Sequence, residues 1–253
     1  MRRDFLGVSI DLISMTETVT RVERAMASGT KLHHVALNVS KFVDMQSNIE
    51  LRRDVIAADI VGIDGIGILI AARQLGLPAS ERVAGVDLME QILALCARSG
   101  YRPYFLGAKP EVLQTALGNV RKRFPGIEIA GCQHGYFAPD AEPGIVEQIR
   151  QSGADCLFIG MPTPRKERFL AAYCRQINVP FVMGVGGGID VLANLVRRAP
   201  RWVQCSGMEW LFRMLQEPRR LWKRYLTSNW AFARIMVRAN VARYTKSVWR
   251  ADP

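Results

Sequence analysis

Asp64 stands where acid–base chemistry would want a carboxylate. It follows the apolar run IVGI and precedes GIGILIAAR, at the point where a strand hands over to a helix. A residue so placed either caps the helix or offers an oxygen that can take a proton from a substrate hydroxyl. The two roles conflict only if capping uses both oxygens. A second candidate is GVGGGID, Gly184 to Asp190, between an apolar run and an expected helix over Asp190 to Val196. Gly186 and Gly187 there permit either a tight turn with positive φ or close approach of backbone N–H groups to a phosphate. Neither this stretch nor GIDGIG completes G-x-G-x-x-G, which weakens a dinucleotide reading. In PTPRKERFL, Pro164 marks a helix start followed at once by Arg165, Lys166 and Glu167. Cations in a first helical turn oppose the macrodipole by roughly 0.3–1 kcal/mol each, so these two are either solvated or share an anion with the free N–H groups. Arg82 in ERVAGVDL reads as a surface arginine or a phosphate clamp, and Asn38 after HHVAL as a turn-former or a sugar-hydroxyl ligand. His33 and His34 read as structural, and no metal-ligand cluster forms around the three histidines.

These residues need a scaffold that brings them to one edge. Short β-branched or aromatic runs (HHVALNV, AADIVGI, YRPYFLGA, GIEIAG, DCLFIG, VPFVMGVG) alternate with amphipathic segments at Leu88–Arg98, Pro110–Phe124, Gly144–Gln151 and Pro164–Gln176. That rhythm predicts an α/β fold with a doubly wound, mostly parallel, Rossmann-like sheet. Ligands of such sheets bind beyond the C-terminal ends of the strands. The junctions there carry Asn38, Asp64-Gly65, Gly107, the Gly160–Glu167 stretch and the Gly184–Asp190 loop.

The chain has 253 residues, enough for one large core or a core with an appendage. Its five cysteines are odd in number and never in CxxC, which suits buried thiols in a reducing compartment. The N-terminal apolar run of six residues is too short for a signal peptide. The longest uncharged run, Gln176 to Ile189, is fourteen residues, short of the roughly 20 that span a bilayer. A cytoplasmic protein with at most peripheral membrane contact is expected. Charge is lopsided: Arg197 to Pro253 holds 13 Lys/Arg against 3 Asp/Glu, and all five tryptophans. A basic, aromatic-rich helical appendage over 197–253, following a core over 1–196, is therefore expected to meet an anionic partner.

Eight blocks in order resemble the WecG/TagA/CpsF family of bacterial glycosyltransferases, glycosyltransferase family 26. They are LNVS, ADIVGIDGIGILIAAR, ERVAGVDL, PYFLGAKPEV, FPGIEIAGCQHGYF, DCLFIGMPTPRKE, GVGGGIDVLANLVRRAPRW and GMEWLFRMLQEPRRLWKRYL. The resemblance implies inverting, metal-independent transfer of a sugar from a UDP-sugar to an undecaprenyl-diphosphate-linked saccharide, with no cofactor, in cell-surface polymer biosynthesis. The absence of D-x-D agrees, and leaves arginines, lysines and backbone N–H groups to neutralise the leaving UDP. Asp64 matches the family's general base, and Arg82 an arginine acting on substrate or leaving group. Substrate contacts are expected at Asn38, Gly65, Gly85, Asp87 and Gly107. The Arg165-Lys166-Glu167 turn and the Gly186-Gly187 loop are expected to join them. From the tail, Arg201, Glu209, Arg213 and Arg219 are expected to close the site. Two departures stand out: Ala36 where many relatives have threonine, and Arg165-Lys166 where many read lysine-glutamine. The second favours a hexose donor such as glucose over N-acetylmannosamine.

An acceptor on a polyprenyl chain keeps its diphosphate at the bilayer surface, so the tail is expected to dock on the inner face of the cytoplasmic membrane. Beyond Pro218, Trp222, Tyr225, Leu226, Ala233 and Val237 recur at near-helical spacing, with Lys223, Arg224, Arg234 and Arg238 among them. Such a helix either lies in the interface or packs this stripe on the core. A homo-oligomer is compatible with the sequence. Rival readings are a nucleic-acid-binding tail, disfavoured because the aromatics lie on helical patterns, and another nucleotide-dependent enzyme such as an epimerase or dehydrogenase.

Overall fold

The computed structural model describes residues 1–248. Its strands are β1 (Arg2–Phe5), β2 (Val8–Asp11), β3 (Leu32–Leu37), β4 (Ile60–Ile63), β5 (Pro103–Gly107), β6 (Gly131–Gln133), β7 (Cys156–Gly160) and β8 (Phe181–Gly184). The helices are α1 (Met15–Ser28), α2 (Val39–Ser47), α3 (Ile49–Ile56), α4 (Ile66–Gln74), α5 (Gly85–Ser99), α6 (Pro110–Arg123), α7 (Glu142–Gln151), α8 (Arg165–Ile177), α9 (Gly188–Leu192), α10 (Arg201–Cys205), α11 (Glu209–Gln216) and α12 (Pro218–Val248).

All eight strands join one sheet in the order β1-β2-β4-β3-β8-β7-β5-β6, parallel except for the β1–β2 hairpin. The expected α/β, Rossmann-like sheet is thus present. Strand periodicity sends alternate side chains to opposite faces. Phe181 and Met183 of β8 join a cluster with Leu88, Ile92, Phe105 and Phe158, whereas Val182 joins Ile149, Ile159 and Leu170. A third cluster under α2, α3 and α4 gathers Phe5, Leu37, Phe42, Val61 and Ile68. Strand order reverses between β3 and β8. Their following helices go to opposite faces, because α2 buries Phe42 and Met45 in one cluster and α9 buries Ile189 and Leu192 in another. A crevice opens at such a switch point, beyond the strand C-termini.

Three elements differ from the sequence expectation. The N-terminal hairpin lies outside the expected strand runs: it turns on Leu6 and Gly7, both at positive φ (52° and 78°), a two-residue turn with an unusual leucine at its first position. GIEIAG is expected as a strand, yet β6 begins only at Gly131 and pairs for three residues with β5 at the sheet edge. The helix expected over Asp190–Val196 is instead α9, five residues long. It stops because Asn194 turns left-handed (φ 59°) and the N–H groups of Leu195 and Val196 fold back onto the Asp190 carbonyl.

The tail does not stand apart from the core. On α12, Leu221, Ser228, Phe232 and Met236 are buried, and Phe232 meets Phe42 edge-on at 5.7 Å. Arg224 Nε donates to Ser40 Oγ at 2.7 Å. The other side of the same helix is bare. Trp222, Leu226, Trp230, Val237 and Val241 are 47%, 64%, 68%, 63% and 57% exposed. With Ala233, also exposed, they fall within about 100° of arc at ~100° per residue. The stripe singled out in the sequence therefore faces outward except for half-buried Tyr225, and a different stripe packs inward. Among the described residues, no helix is long and apolar enough to cross a membrane.

Candidate active site

Asp64 leaves β4 with its N–H bonded to the Leu37 carbonyl at 2.9 Å, which sets it beside Asn38 at the end of β3. Its Oδ1 accepts the Gly85 N–H at 2.7 Å. The carboxylate thus caps α5, whose first residue is Gly85, and not its own helix α4, whose N-cap Gly65 has no side-chain bond. An anion at that helix start is favoured by the dipole. Among the described residues Oδ2 makes no hydrogen bond and Asp64 is half-buried, so one oxygen is fixed while the other stays unbonded. Capping and acid–base chemistry do not compete here.

Small residues crowd this carboxylate. A Cβ on Gly85 would lie 3.7 Å from Ala36 Cβ and from Asp64 Oδ1, and one on Gly65 would lie 3.3 Å from Asn38 Cβ. Asn38 is the N-cap of α2, its Oδ1 accepting the Lys41 N–H at 3.0 Å. At the end of β5, Gly107 has φ +139° and a Cβ there would fall 2.6 Å from the Gly160 backbone. Only glycine lets β5 and β7 end so close together.

The glycine loop after β8 keeps Gly186 at φ +52° with open space around it, and the Arg213 guanidinium lies against Gly187 where a side chain would stand. Arg213, on α11, comes from the tail. Arg82 also reaches the tail: Nη1 donates to Glu209 Oε2 at 3.1 Å and Nη2 to the Gln204 carbonyl at 3.3 Å. Arg198 pairs with Asp87 through Nη1 and stands 3.9 Å from Glu209 Oε1 through Nε. Arg198, Arg213 and Glu209 line a shallow cleft with Val86, Val191 and Phe212. Arg198 Nε and Nη2 and Arg213 Nε are buried there without a hydrogen bond. Arg198 was not singled out in the sequence. The only signal is its place in RRAPRW, where three arginines in five residues give no reason to choose one.

The turn after β7 is arranged differently from a row of solvated cations. Arg165 donates to the carbonyls of Gly135 (2.9 Å) and Phe137 (2.7 Å) and sits 4.5 Å over the Phe137 ring, so it fastens the loop after β6. Lys166 and Glu167 are buried. Glu167 Oε1 meets Lys166 Nζ at 2.9 Å, Lys41 Nζ at 3.0 Å and Thr163 Oγ1 at 3.2 Å. Lys166 Nζ also donates to Thr163 Oγ1. Burial and then the adjacent Lys41 charge bring Lys166 down to about 8, against the pull of Glu167. Burial pushes the Glu167 carboxyl up, but the Lys41 and Lys166 ammonium groups outweigh it and hold the group at about 2. Below them, burial lowers His33 to about 4 and His34 to about 3, so both are neutral at pH 7. Lys41 is the member of this cluster that periodicity alone could not flag, since a lysine in a first helical turn normally reads as solvated.

The structure therefore brings Asn38, Asp64, Gly65, Gly85, Asp87, Arg82, Glu209, Arg213 and Gly187 to the same end of the sheet. Lys166 and Glu167 are buried, Lys166 against Gly184 at the end of β8, and Arg165 binds a neighbouring loop. Arg201 and Arg219 are exposed on α10 and α12.

The chain matches the sequence model of the family described as Glycosyl transferase WecG/TagA/CpsF family over residues 3–246, nearly its whole length. It belongs to that family. It is a glycosyltransferase of cell-surface polymer biosynthesis, working between a sugar donor and a lipid-linked acceptor.

Proposed function

We propose that this WecG/TagA/CpsF-family enzyme moves a hexose from a UDP-sugar onto an undecaprenyl-diphosphate-linked saccharide with inversion at the anomeric carbon, Asp64 acting as general base. One observation carries the reading: the Asp64 carboxylate is fixed through Oδ1 by the Gly85 N–H at 2.7 Å, while Oδ2 has no hydrogen bond among the described residues. In the step itself, Asp64 takes the proton of the acceptor hydroxyl as that oxygen bonds to the anomeric carbon. The bond from that carbon to the UDP oxygen breaks, and its electron pair leaves with UDP. Negative charge then grows on the diphosphate, where Arg213 and the Gly186-Gly187 backbone supply positive ends. No metal or cofactor is assigned a role.

Support for a membrane-borne acceptor comes from α12. Its outward stripe of Trp222, Leu226, Trp230, Val237 and Val241 is flanked by exposed Lys223, Arg234 and Arg238. Lys223 Nζ lies 5.7 Å from the Trp222 ring centre. Apolar residues on one arc with cations beside them suit a helix lying at the headgroup level of the inner leaflet, with the rest of the protein in the cytoplasm.

The test is turnover of a panel of UDP-sugars on a short-chain lipid-diphosphate-saccharide acceptor. The wild-type protein is expected to use one UDP-hexose. Asp64→Asn should retain UDP binding and lower kcat by at least about 10²-fold, the usual scale for a positioned base. Activity within a few-fold of wild type would reduce Asp64 to a helix cap.

A further inference from the structure

Four charged side chains fasten the tail to the start of α5. Arg82 lies three residues before Gly85 and Asp87 two residues after it. Both are tied to the tail: Arg82 to Glu209 and to the Gln204 carbonyl, Asp87 to Arg198. Glu209 stands between the two arginines, Oε2 at 3.1 Å from Arg82 Nη1 and Oε1 at 3.9 Å from Arg198 Nε. Side-chain exposures of 20% for both arginines and 29% for Glu209 set the group apart from a loose surface pair. The segment between the tie points contains the amide that holds Asp64. It has one further anchor, the Val83 N–H on the Ile63 carbonyl at 2.7 Å, which ties it to β4 immediately before Asp64.

We propose that Glu209 is a positioning residue: by bridging Arg82 and Arg198 it fixes where α5 begins, and so aims the Gly85 N–H that orients Asp64. This rests on the reading of Asp64 as the base. It gives the tail a part in the chemistry through a defined path, from Glu209 to Arg82 by an ion pair, along three residues of chain to Gly85, and from there to Asp64 by a hydrogen bond, with no need for Glu209 to touch substrate. Glu209 is suited to that path because a carboxylate has two oxygens and can serve two guanidinium groups at once. Glutamine keeps the shape and loses the charge.

A double-mutant cycle on the full-length enzyme tests this, with single-turnover rates at saturating UDP-sugar and acceptor. Glu209→Gln in the wild-type background should slow the chemical step on the order of tenfold, a modest fraction of what misplacing a reacting group can cost, while the KM for UDP-sugar stays within twofold. In the Asp64→Asn background the same change should alter the residual rate by less than twofold, because there is no base left to aim. Glu209→Asp, which keeps the charge, should recover part of the loss. An equal slowing in both backgrounds would show that Glu209 acts independently of Asp64 and overturn the proposal, as would a wild-type rate for Glu209→Gln. Should Glu209→Gln not fold, Glu209→Asp runs the same cycle: a loss confined to the Asp64 background supports the path, and no loss or an equal loss refutes it. Failure of the base reading looks different, since Asp64→Asn alone would then keep near wild-type activity.

Discussion

Replacing Glu167 by glutamine should destabilise this protein far more than replacing Lys166 by methionine, although the two side chains are paired. The cluster holds two ammonium groups and one carboxylate, all buried, with Glu167 Oε1 at 3.0 Å from Lys41 and 2.9 Å from Lys166. Glu167→Gln removes the sole anion and leaves two cations facing each other away from water. The depression of Glu167 from 4.5 to about 2 corresponds to about 3 kcal/mol at ~1.4 kcal/mol per pH unit, within the roughly 3–5 kcal/mol seen when one partner of a buried pair is removed. Lys166→Met leaves Lys41 and Glu167 matched one to one. It also relieves a lysine held at about 8, well below its ordinary 10.5, so the cost should stay under about 1.5 kcal/mol. The pH dependence has two signs. Glu167 binds its proton less readily when folded, so its contribution is present above 4.5 and lost as pH falls toward about 2. Lys166 is also less readily protonated when folded, so the cost of its burial is relieved and stability rises as pH climbs from about 8 toward 10.5. Urea unfolding of both variants at pH 7, and of wild type and Lys166→Met between pH 8 and 10, reads these effects. Equal losses in the two variants, or a rise with pH that persists in Lys166→Met, would refute the reasoning.

Acid should unfold the protein early. His33 and His34 titrate at about 4 and about 3 in the fold, so stability should fall as pH drops below 6.5 toward those values, and circular dichroism in acid should show His34→Leu losing less over that window than wild type. The two faces of α12 should separate in one experiment: Trp222→Ser with Trp230→Ser should keep the melting temperature within a few degrees and lose sedimentation with anionic vesicles. Phe232→Ala, by contrast, should cost about 3–5 kcal/mol of stability by emptying its contact with Phe42.

Much of the sheet could be read from the sequence because β4, β5, β7 and β8 are runs of mostly apolar residues bounded by glycine or polar turns, as DCLFIG and VPFVMGVG show. Edges were harder. Strand β6 makes one three-residue pairing and needs little intrinsic preference, and the β1–β2 hairpin turns on Leu-Gly without the usual asparagine. In the site, the place of Asp64 at a strand end is legible because it follows the apolar run IVGI directly. Its actual partner is not, since Gly85 lies twenty-one residues away and reaches it only through the packing of α5. The same limit applies to Lys166. Two cations at a helix start read in one dimension as either solvated or sharing an anion, and only the fold brings Lys41 of α2 and the Glu167 carboxylate together around the second of them.

The long terminal helix shows why composition alone could not divide the tail into a packed face and an exposed one. A 31-residue helix rises about 46 Å at ~1.5 Å per residue, and between Leu221 and Val241 it carries one arc against the body of the protein and another outward. Its inner arc is anchored on α2 by Phe232 against Phe42 and by Arg224 on Ser40. Ser40 is two residues beyond Asn38, the α2 N-cap against which Gly65 packs beside Asp64. A helix so fixed cannot swing freely. In the proposed reading, whatever plane the outer arc settles on therefore lies at a constant angle to the end of the sheet where Asp64 waits for a hydroxyl, and the approach of a lipid-anchored acceptor is constrained before it reaches the crevice.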